Sequence, residues 1–331
     1  MKCIHSPAFN GDKKQNLKVY YSVDEVPKIK NTVLTLGTFD GVHRGHRKII
    51  NFLRKSAERI GGETVLFTFH PHPRMILYPD DHNLELIQDI DKRIEQLEEA
   101  GIDHLILHPF TMDFSRQSAT EFVRNILVNK LNVKLLTIGY NHHFGRNREG
   151  NIELLKELSN TYSFEVQEID ALREGDLSIS STKIRNAIKT GDIQKANEFL
   201  GTTFSFKGSV IDGDKIGTQL GYPTANIGKM EATQIIPGNG VYVVKVKIGD
   251  RYFGGMMNIG VRPTVTENNE KRIEVHLFDF DGDLYGTKLE VFVLDKIRDE
   301  KTFASIEQLK NQLHADEEVC KRLLDQLSIV S

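Results

Sequence analysis

Between residues 32 and about 170 the chain alternates two hydrophobic rhythms. TVLTLGTF (32–39) is an apolar run of strand length. Ile49, Ile50, Leu53, Ala57 and Ile60 then recur at helical spacing, and ETVLFTF (63–69) is the next strand-length run. Ile90, Ile94, Leu97 and Ala100 predict a second helix, closed by Gly101. DHLILH (103–108) predicts a third strand. Ser118 and Glu121 have the spacing of a capping box, opening a helix that carries Phe122, Val123, Ile126 and Leu127. VKLLTIG (133–139), a short helix near 151–159, and FEVQEI (164–169) complete the series. Repeated strand–helix units of this length imply an α/β fold: a Rossmann-like parallel sheet with helices on both faces. Ligands on such sheets sit at the carboxyl ends of the strands.

After about residue 186 the grammar changes. IRNAIKTGDIQKANEFLG (184–201) predicts two short connecting helices. Short apolar strands follow: TFSFKGSV (203–210), GVYVVKVKI (240–248), RYFGGMMNIG (251–260), RIEVHLFDF (272–280) and KLEVFVLDK (288–296). Turn signals such as Gly249-Asp250 and Asp281-Gly282-Asp283 separate them. Many short strands with few helices suggest a small antiparallel barrel. Residues 305–327 have helical composition and period. The expected division is therefore 1–186 and 187–331, and a length of 331 residues suits two domains.

Charge and composition narrow the partners. Lys plus Arg is 43 against 46 for Asp plus Glu, a formal charge of −3. A duplex nucleic-acid binder carries a basic excess, so no nucleic-acid partner is expected. No apolar run reaches about 18 residues, so no membrane span is expected. MKCIHSPAFNGDKK (1–14) lacks the apolar stretch of a secretory signal. The two cysteines, Cys3 and Cys320, lie at opposite ends and support neither a disulfide framework nor a four-Cys zinc site. A reducing, cytoplasmic setting follows. Ten of the twelve histidines precede residue 187, which hints at different chemistry in the two halves.

GTFDGVHRGH (37–46) links the first strand to the first helix. Gly37 and Gly41 permit a tight turn and close approach of backbone to a phosphate, and Phe39 lies between them among the candidate nucleotide contacts. His43 and His46, three apart, share one face of the helix start, where free N–H groups and the dipole favour an anion. Two imidazoles there can stabilise charge on the α-phosphate of a nucleoside triphosphate as it is attacked in line. The bland alternative is a pair of surface histidines. A second basic element, ISSTKIR (179–185), weighs against that. Ser181 and Thr182 offer hydroxyls at a helix start, and Arg185 adds charge. FTFHPHP (67–73) and GYNHHFG (139–145) end two further strands at the expected ligand edge. Their histidines match no closed zinc pattern, and aromatic or amide groups gripping a flat ring are the better reading.

GTFDGVHRGH, FTFHPHP and ISSTKIR together resemble the nucleotidyltransferase module of the prokaryotic bifunctional FAD synthetases. The resemblance implies transfer of AMP from ATP to FMN. It places His43, His46, Ser181, Thr182 and Arg185 on the ATP phosphates, and Phe69 and Asn141 toward the flavin. One departure is His142, where the family commonly has an aromatic residue.

In the second half, Gly208, Gly213 and Gly217 lie in a glycine-rich segment that matches neither a P-loop nor a dinucleotide fingerprint. Such segments can wrap phosphates with backbone N–H groups, which makes these glycines candidate nucleotide contacts. Thr224 and Asn226, two apart in GYPTAN (221–226), would aim two oxygens to one side of an extended chain. Such hard ligands suit a Mg²⁺ held mainly by substrate phosphates, although PTAN alone is an ordinary turn. In RIEVHLFD (272–279), Ile273, Val275 and Leu277 share one face and Glu274, His276 and Phe278 the other. A carboxylate beside a nucleotide pocket can serve as general base.

GYPTAN, NGVYVV, NIGVRPT, EVHLFDFDGDLYG and IRDEKTF occur in the order found in riboflavin kinases, which this half resembles. The resemblance implies a six-stranded barrel, Mg²⁺–ATP near Thr224 and Asn226, Glu274 as base on the ribityl 5′-hydroxyl, and Arg262 with the C-terminal helix near the flavin. The whole chain then reads as an enzyme making FMN and FAD from riboflavin and ATP. Its partners are those small molecules, and its oligomeric state is open. The rivals are another HxGH transferase, which has no use for the second half, and a flavin-responsive or RNA-binding regulator, which the near-neutral charge disfavours.

Overall fold

The computed structural model describes residues 16–80, 84–139, 142–170, 173–174, 177–213, 217, 220–229, 231–261 and 271–328. The chain forms two compact units, each described by itself. The first comprises the described residues of Met1–Thr38, Ile49–Ile76 and Ile94–Asp170. The second comprises those of Phe39–Lys48, Leu77–Arg93 and Ala171–Ser331.

The first unit is built on a six-stranded parallel sheet. Its strands are β1 (Lys18–Tyr20), β2 (Thr32–Leu36), β3 (Thr64–Phe69), β4 (His104–His108), β5 (Val133–Gly139) and β6 (Glu165–Ile169), in the order β1-β4-β3-β2-β5-β6. Central β2 is buried along its whole length, which its continuous apolar run anticipates. Five of the six strands match expectation. β1 was not foreseen: three residues are too few to show a period, and pairing with β4 at Lys18↔His104 is what makes it a strand.

The helices between the strands are amphipathic. In α1 (Arg44–Ile60), Ile50, Leu53 and Ala57 are the buried stripe. α2 (Pro73–Leu77), α3 (Ile90–Glu99) and α4 (Met112–Ser115) follow. α5 (Ala119–Phe122) opens on the expected capping box, Ser118 accepting from the Glu121 N–H while the Glu121 carboxylate accepts from Ser118 N. The chain then continues as a π-helix over Val123–Lys130, with Leu131 N–H donating to the Ile126 carbonyl five residues back. α6 (Ile152–Tyr162) has Asn151 as its N-cap. Val23, Leu34, Phe67, Leu136 and Leu155 belong to one buried core.

In the second unit a short hairpin, β7 (Arg173–Glu174) and β8 (Leu177–Ser178), precedes α7 (Ser181–Thr190) and α8 (Ile193–Leu200). Gly191 and Gly201, both left-handed, end the two helices. Asn186, at the expected domain boundary, lies inside α7. Six antiparallel strands then close a barrel in the order β10-β13-β12-β11-β14-β9. They are β9 (Ser205–Ile211), β10 (Ala225–Lys229), β11 (Gly240–Ile248), β12 (Arg251–Val261), β13 (Lys271–Leu277) and β14 (Lys288–Arg298). Hydrophobic pattern alone finds five of these. β10 is short, glycine-containing and half polar, so only the resemblance supplies the sixth. The C-terminal helix, Ile306–Ser328, is joined to β14 by a two-pronged ion pair between Arg298 and the buried Asp316.

One segment of this unit pairs with residues remote from it in sequence. Leu86 forms a parallel bridge with Gln234: its N–H donates to Thr233 O (2.7 Å), and Ile235 N–H donates to Leu86 O (3.1 Å). Ile87 is buried in the same core as the inward faces of the barrel strands. Lys207 pairs with Asp89 at 3.1 Å and Lys92 with Glu290 at 3.4 Å.

Candidate functional site

The turn between β2 and α1 has an unusual backbone. Phe39 (φ 47°), Gly41 (φ 91°) and Val42 (φ 35°) all have positive φ. For Phe and the β-branched Val this is a strained conformation, which persists only where the surroundings fix it. Asp40 supplies the fixing. Its side chain is fully buried. Its carboxylate accepts from the backbone N–H groups of Ile87 (3.0 Å) and Gln88 (3.4 Å) and from Arg185 Nη2 (2.8 Å), with Arg93 Nη2 at 3.9 Å. A buried charge is tolerable only with such compensation. The Ser181 hydroxyl donates to the Asp40 carbonyl at 2.9 Å, so the starts of α1 and α7 meet at one residue.

His43 and His46 lie side by side, rings stacked at 3.6 Å between centroids and 14° between planes. The backbone N–H of His46 donates to His43 Nδ1 (3.3 Å), and Phe39 packs on His46 at 4.5 Å. A Cβ on Gly45 would come within 3.1 Å of two atoms of the His43 ring, so the intervening glycine makes room for His43 itself. Burial pushes the His43 pKa down to about 4, and burial with the neighbouring His43 and Arg93 pushes that of His46 well below its usual value. Both rings are neutral at pH 7. His46 Nδ1 and Arg185 Nε are buried without a protein partner. Two such nitrogens beside two helix starts suit an anion rich in acceptor oxygens. Thr182 is exposed on the first turn of α7, and Ser180 caps that helix. Asp40, Arg93 and the Ile87–Gln88 amides were not anticipated. Asp40 had a signal, being the one acid in a glycine-rich turn; the others had none.

Gly37 belongs to the first unit, its N–H donating to Phe67 O. Phe69, in the same unit, sits in an aromatic cluster with Phe110 (5.0 Å), Phe114 (5.2 Å) and Phe67 (5.4 Å). Phe110 and Phe114 were likewise not anticipated. His142 stacks on Phe144 at 6.1 Å, and burial lowers its pKa to about 4. Asn141 and Arg262 lie outside the described residues.

On the barrel, Asn226 of β10 and Glu274 of β13 are directly paired across the ladder, and Asn258 of β12 faces Glu274 from the other side. Ile273, Val275 and Leu277 point into the core as expected, which leaves Glu274 on the opposite face. Arg272 binds both polar partners, with Nη2 2.7 Å from Glu274 Oε1 and Nε donating to Asn226 Oδ1 at 3.0 Å. Thr224 precedes β10, so it stands at the mouth of the strand. Gly208, within β9, is required by packing, since a Cβ there would overlap Ile227. A Cβ on Gly213 would overlap the Asn226 amide, and one on Gly217 would overlap the Tyr222 carbonyl oxygen. Gly213 thus keeps space open at Asn226, while Gly217 is fixed by its packing against the Tyr222 backbone. Neutral, hard oxygens with such space fit Mg²⁺ carried by a nucleotide. Among the described residues no three His, Cys, Asp or Glu side chains form a metal cluster. Tyr222 packs edge-on to His276 at 5.2 Å and bonds Glu317 of the C-terminal helix, which ties that helix to the same face.

Comparison with known proteins agrees with the two-part fold. A family profile for FAD synthetase matches residues 26–183, and one for riboflavin kinase matches residues 200–324. A bifunctional riboflavin kinase/FMN adenylyltransferase of Buchnera aphidicola (subsp. Schizaphis graminum) is 39% identical over 310 residues, covering 92% of this chain and 98% of the relative. That of Escherichia coli K12 is 35% identical over 298 residues, covering 90% and 94%. A crystal structure of a protein described as a macrolide-efflux protein from Streptococcus pneumoniae superposes with a TM-score of 0.83 at 32% identity, covering 92% and 98%. Among the described residues of the present chain, no helix is long and apolar enough to cross a membrane.

Proposed function

Because the chain belongs to the family of bifunctional riboflavin kinase/FMN adenylyltransferases, we propose that it converts riboflavin and ATP to FMN and ADP, then FMN and ATP to FAD and pyrophosphate. The observation that carries this reading is the presence in one chain of a stacked His43–His46 pair at a helix start and a paired Asn226–Glu274 on a barrel.

At the barrel, Glu274 takes the proton of the ribityl 5′-hydroxyl as its oxygen attacks the γ-phosphorus of ATP, and ADP leaves with the bond electrons. Arg272 orients the carboxylate and the Asn226 amide together. Mg²⁺, held by Thr224 and Asn226, would neutralise charge on the phosphates. Gly213 leaves room for them, Gly208 and Gly217 are assigned to the nucleotide through their backbone, and Arg262 is assigned to the flavin.

At the other site an FMN phosphate oxygen attacks the α-phosphorus of ATP in line, the bond to pyrophosphate breaks, and no proton need move. Neutral His43 and His46 donate ring N–H bonds to the α-phosphate oxygens as charge develops there. Arg185, Ser181 and Thr182 hold the remaining phosphates. The turn at Gly37, Phe39 and Gly41 brings the backbone close, and Phe69 and Asn141 are assigned to the flavin. We assign residues 1–186 to adenylyl transfer and 187–331 to the kinase, and place the enzyme in the cytoplasm, where the free, buried Cys320 thiol is at home.

The test is incubation of the purified chain with riboflavin, ATP and Mg²⁺, with separation of flavins by chromatography. FMN followed by FAD is expected. FAD from supplied FMN without any riboflavin turnover would leave only the adenylyl half of the proposal.

A further inference from the structure

The reading above gives Arg185 a phosphate to hold, yet one of its nitrogens is already committed. Nη2 lies 2.8 Å from Asp40, while Nε is buried with no protein acceptor. A guanidinium presents its donors in a rigid planar fork. Fixing one arm on a carboxylate therefore aims the rest of the fork. Asp40 is itself immobile, being fully buried and bonded to the Ile87 and Gln88 amides. Its backbone sits between Phe39 and Gly41, in the strained stretch that delivers His43, and its carbonyl is bonded by Ser181.

We propose that Asp40 is the positioning residue of adenylyl transfer: its carboxylate aims the free arm of Arg185 at the triphosphate and holds the histidine turn in its strained form. The inference rests on the adenylyltransferase reading. It touches no reacting atom itself. Its negative charge also offsets part of the desolvation of His43, so the acid is a neighbour to both cation and imidazole.

The experiment compares wild type, Asp40→Asn, Arg185→Ala and the double variant, all as full-length chains, in conversion of FMN to FAD. Wild type is measured first, and its failure to form FAD would refute the adenylyltransferase reading rather than this inference. With an active wild type, Asp40→Asn should lower kcat by roughly 100-fold, the scale of a misplaced catalytic group, with a smaller change in KM for ATP. Because the acid acts partly through Arg185, the losses of Asp40→Asn and Arg185→Ala should be less than multiplicative in the double variant, the remainder being the acid's hold on the histidine turn. An Asp40→Asn enzyme within about twofold of wild type, or losses that multiply in the double variant, would overturn the proposal. Should Asp40→Asn fail to fold, Arg185→Lys at the partly exposed partner serves instead. It keeps the charge but has no fork to share between carboxylate and phosphate. Loss of FAD formation at that position supports the assignment, and full retention refutes it.

Discussion

Asn226 and Glu274 sit opposite each other on neighbouring strands, and Arg272 bonds both. The amide assigned to the metal and the carboxylate assigned to the proton are thus one construction, fixed by barrel register. Glu274→Gln preserves shape and removes the base. FMN formation should fall by roughly 10²–10⁴-fold, while FAD formation from supplied FMN persists. Chromatographic assay of each half-reaction decides it.

His46→Ala should show the reverse pattern. Loss of one preorganised donor costs about 10²–10³-fold in other enzymes, and FAD formation should drop on that scale with riboflavin phosphorylation unaffected. Loss of both activities in a folded variant would refute separate sites.

Gly213→Ala places a methyl group against the Asn226 amide. Overpacking costs about 1–3 kcal/mol, which should appear as a raised Mg²⁺–ATP requirement in the kinase reaction. Titration of the kinase rate with Mg²⁺–ATP reads this directly, and an unchanged requirement would show that this glycine does not keep the metal position open.

The histidines set a pH dependence. His43 and His142 have pKa values lowered to about 4 in the folded chain, against about 6.5 when unfolded. The unfolded chain therefore binds more protons between those values. Stability is fully present above about pH 6.5 and declines as the pH falls toward 4, by up to about 3 kcal/mol for each group. Denaturant unfolding at pH 7 and pH 5 should show the lower midpoint at pH 5.

How much of this was legible in the sequence varies by element. The long apolar runs of β2, β3 and β5 and the stripe of α1 announce themselves because burial on both faces, or along one stripe, demands them. His43 and His46 stand out by their spacing at a helix start, whereas a lone carboxylate on a strand carries no pattern, so Glu274 is singled out only by the resemblance to riboflavin kinases. Asp40 and Arg93 were missed because their partners are far away in sequence: the Ile87 amide is a backbone group, and no side-chain pattern reports a backbone N–H. β1 and β10 escaped for a related reason. Each is a strand only because a distant neighbour pairs with it.

The Leu86–Gln234 bridge has a consequence for how the protein can be divided. Its two catalytic activities invite dissection by a single cut after residue 186. Such a cut leaves residues 84–93 with the wrong fragment. The isolated kinase piece would lose the backbone partners of Thr233 and Ile235 and the Ile87 side chain from its core. The other piece would keep Asp40 but lose Arg185 only if the cut moved upstream of it. A self-sufficient kinase fragment therefore calls for grafting residues 84–93 back onto the barrel, and the two activities are easier to separate by point substitution than by scission.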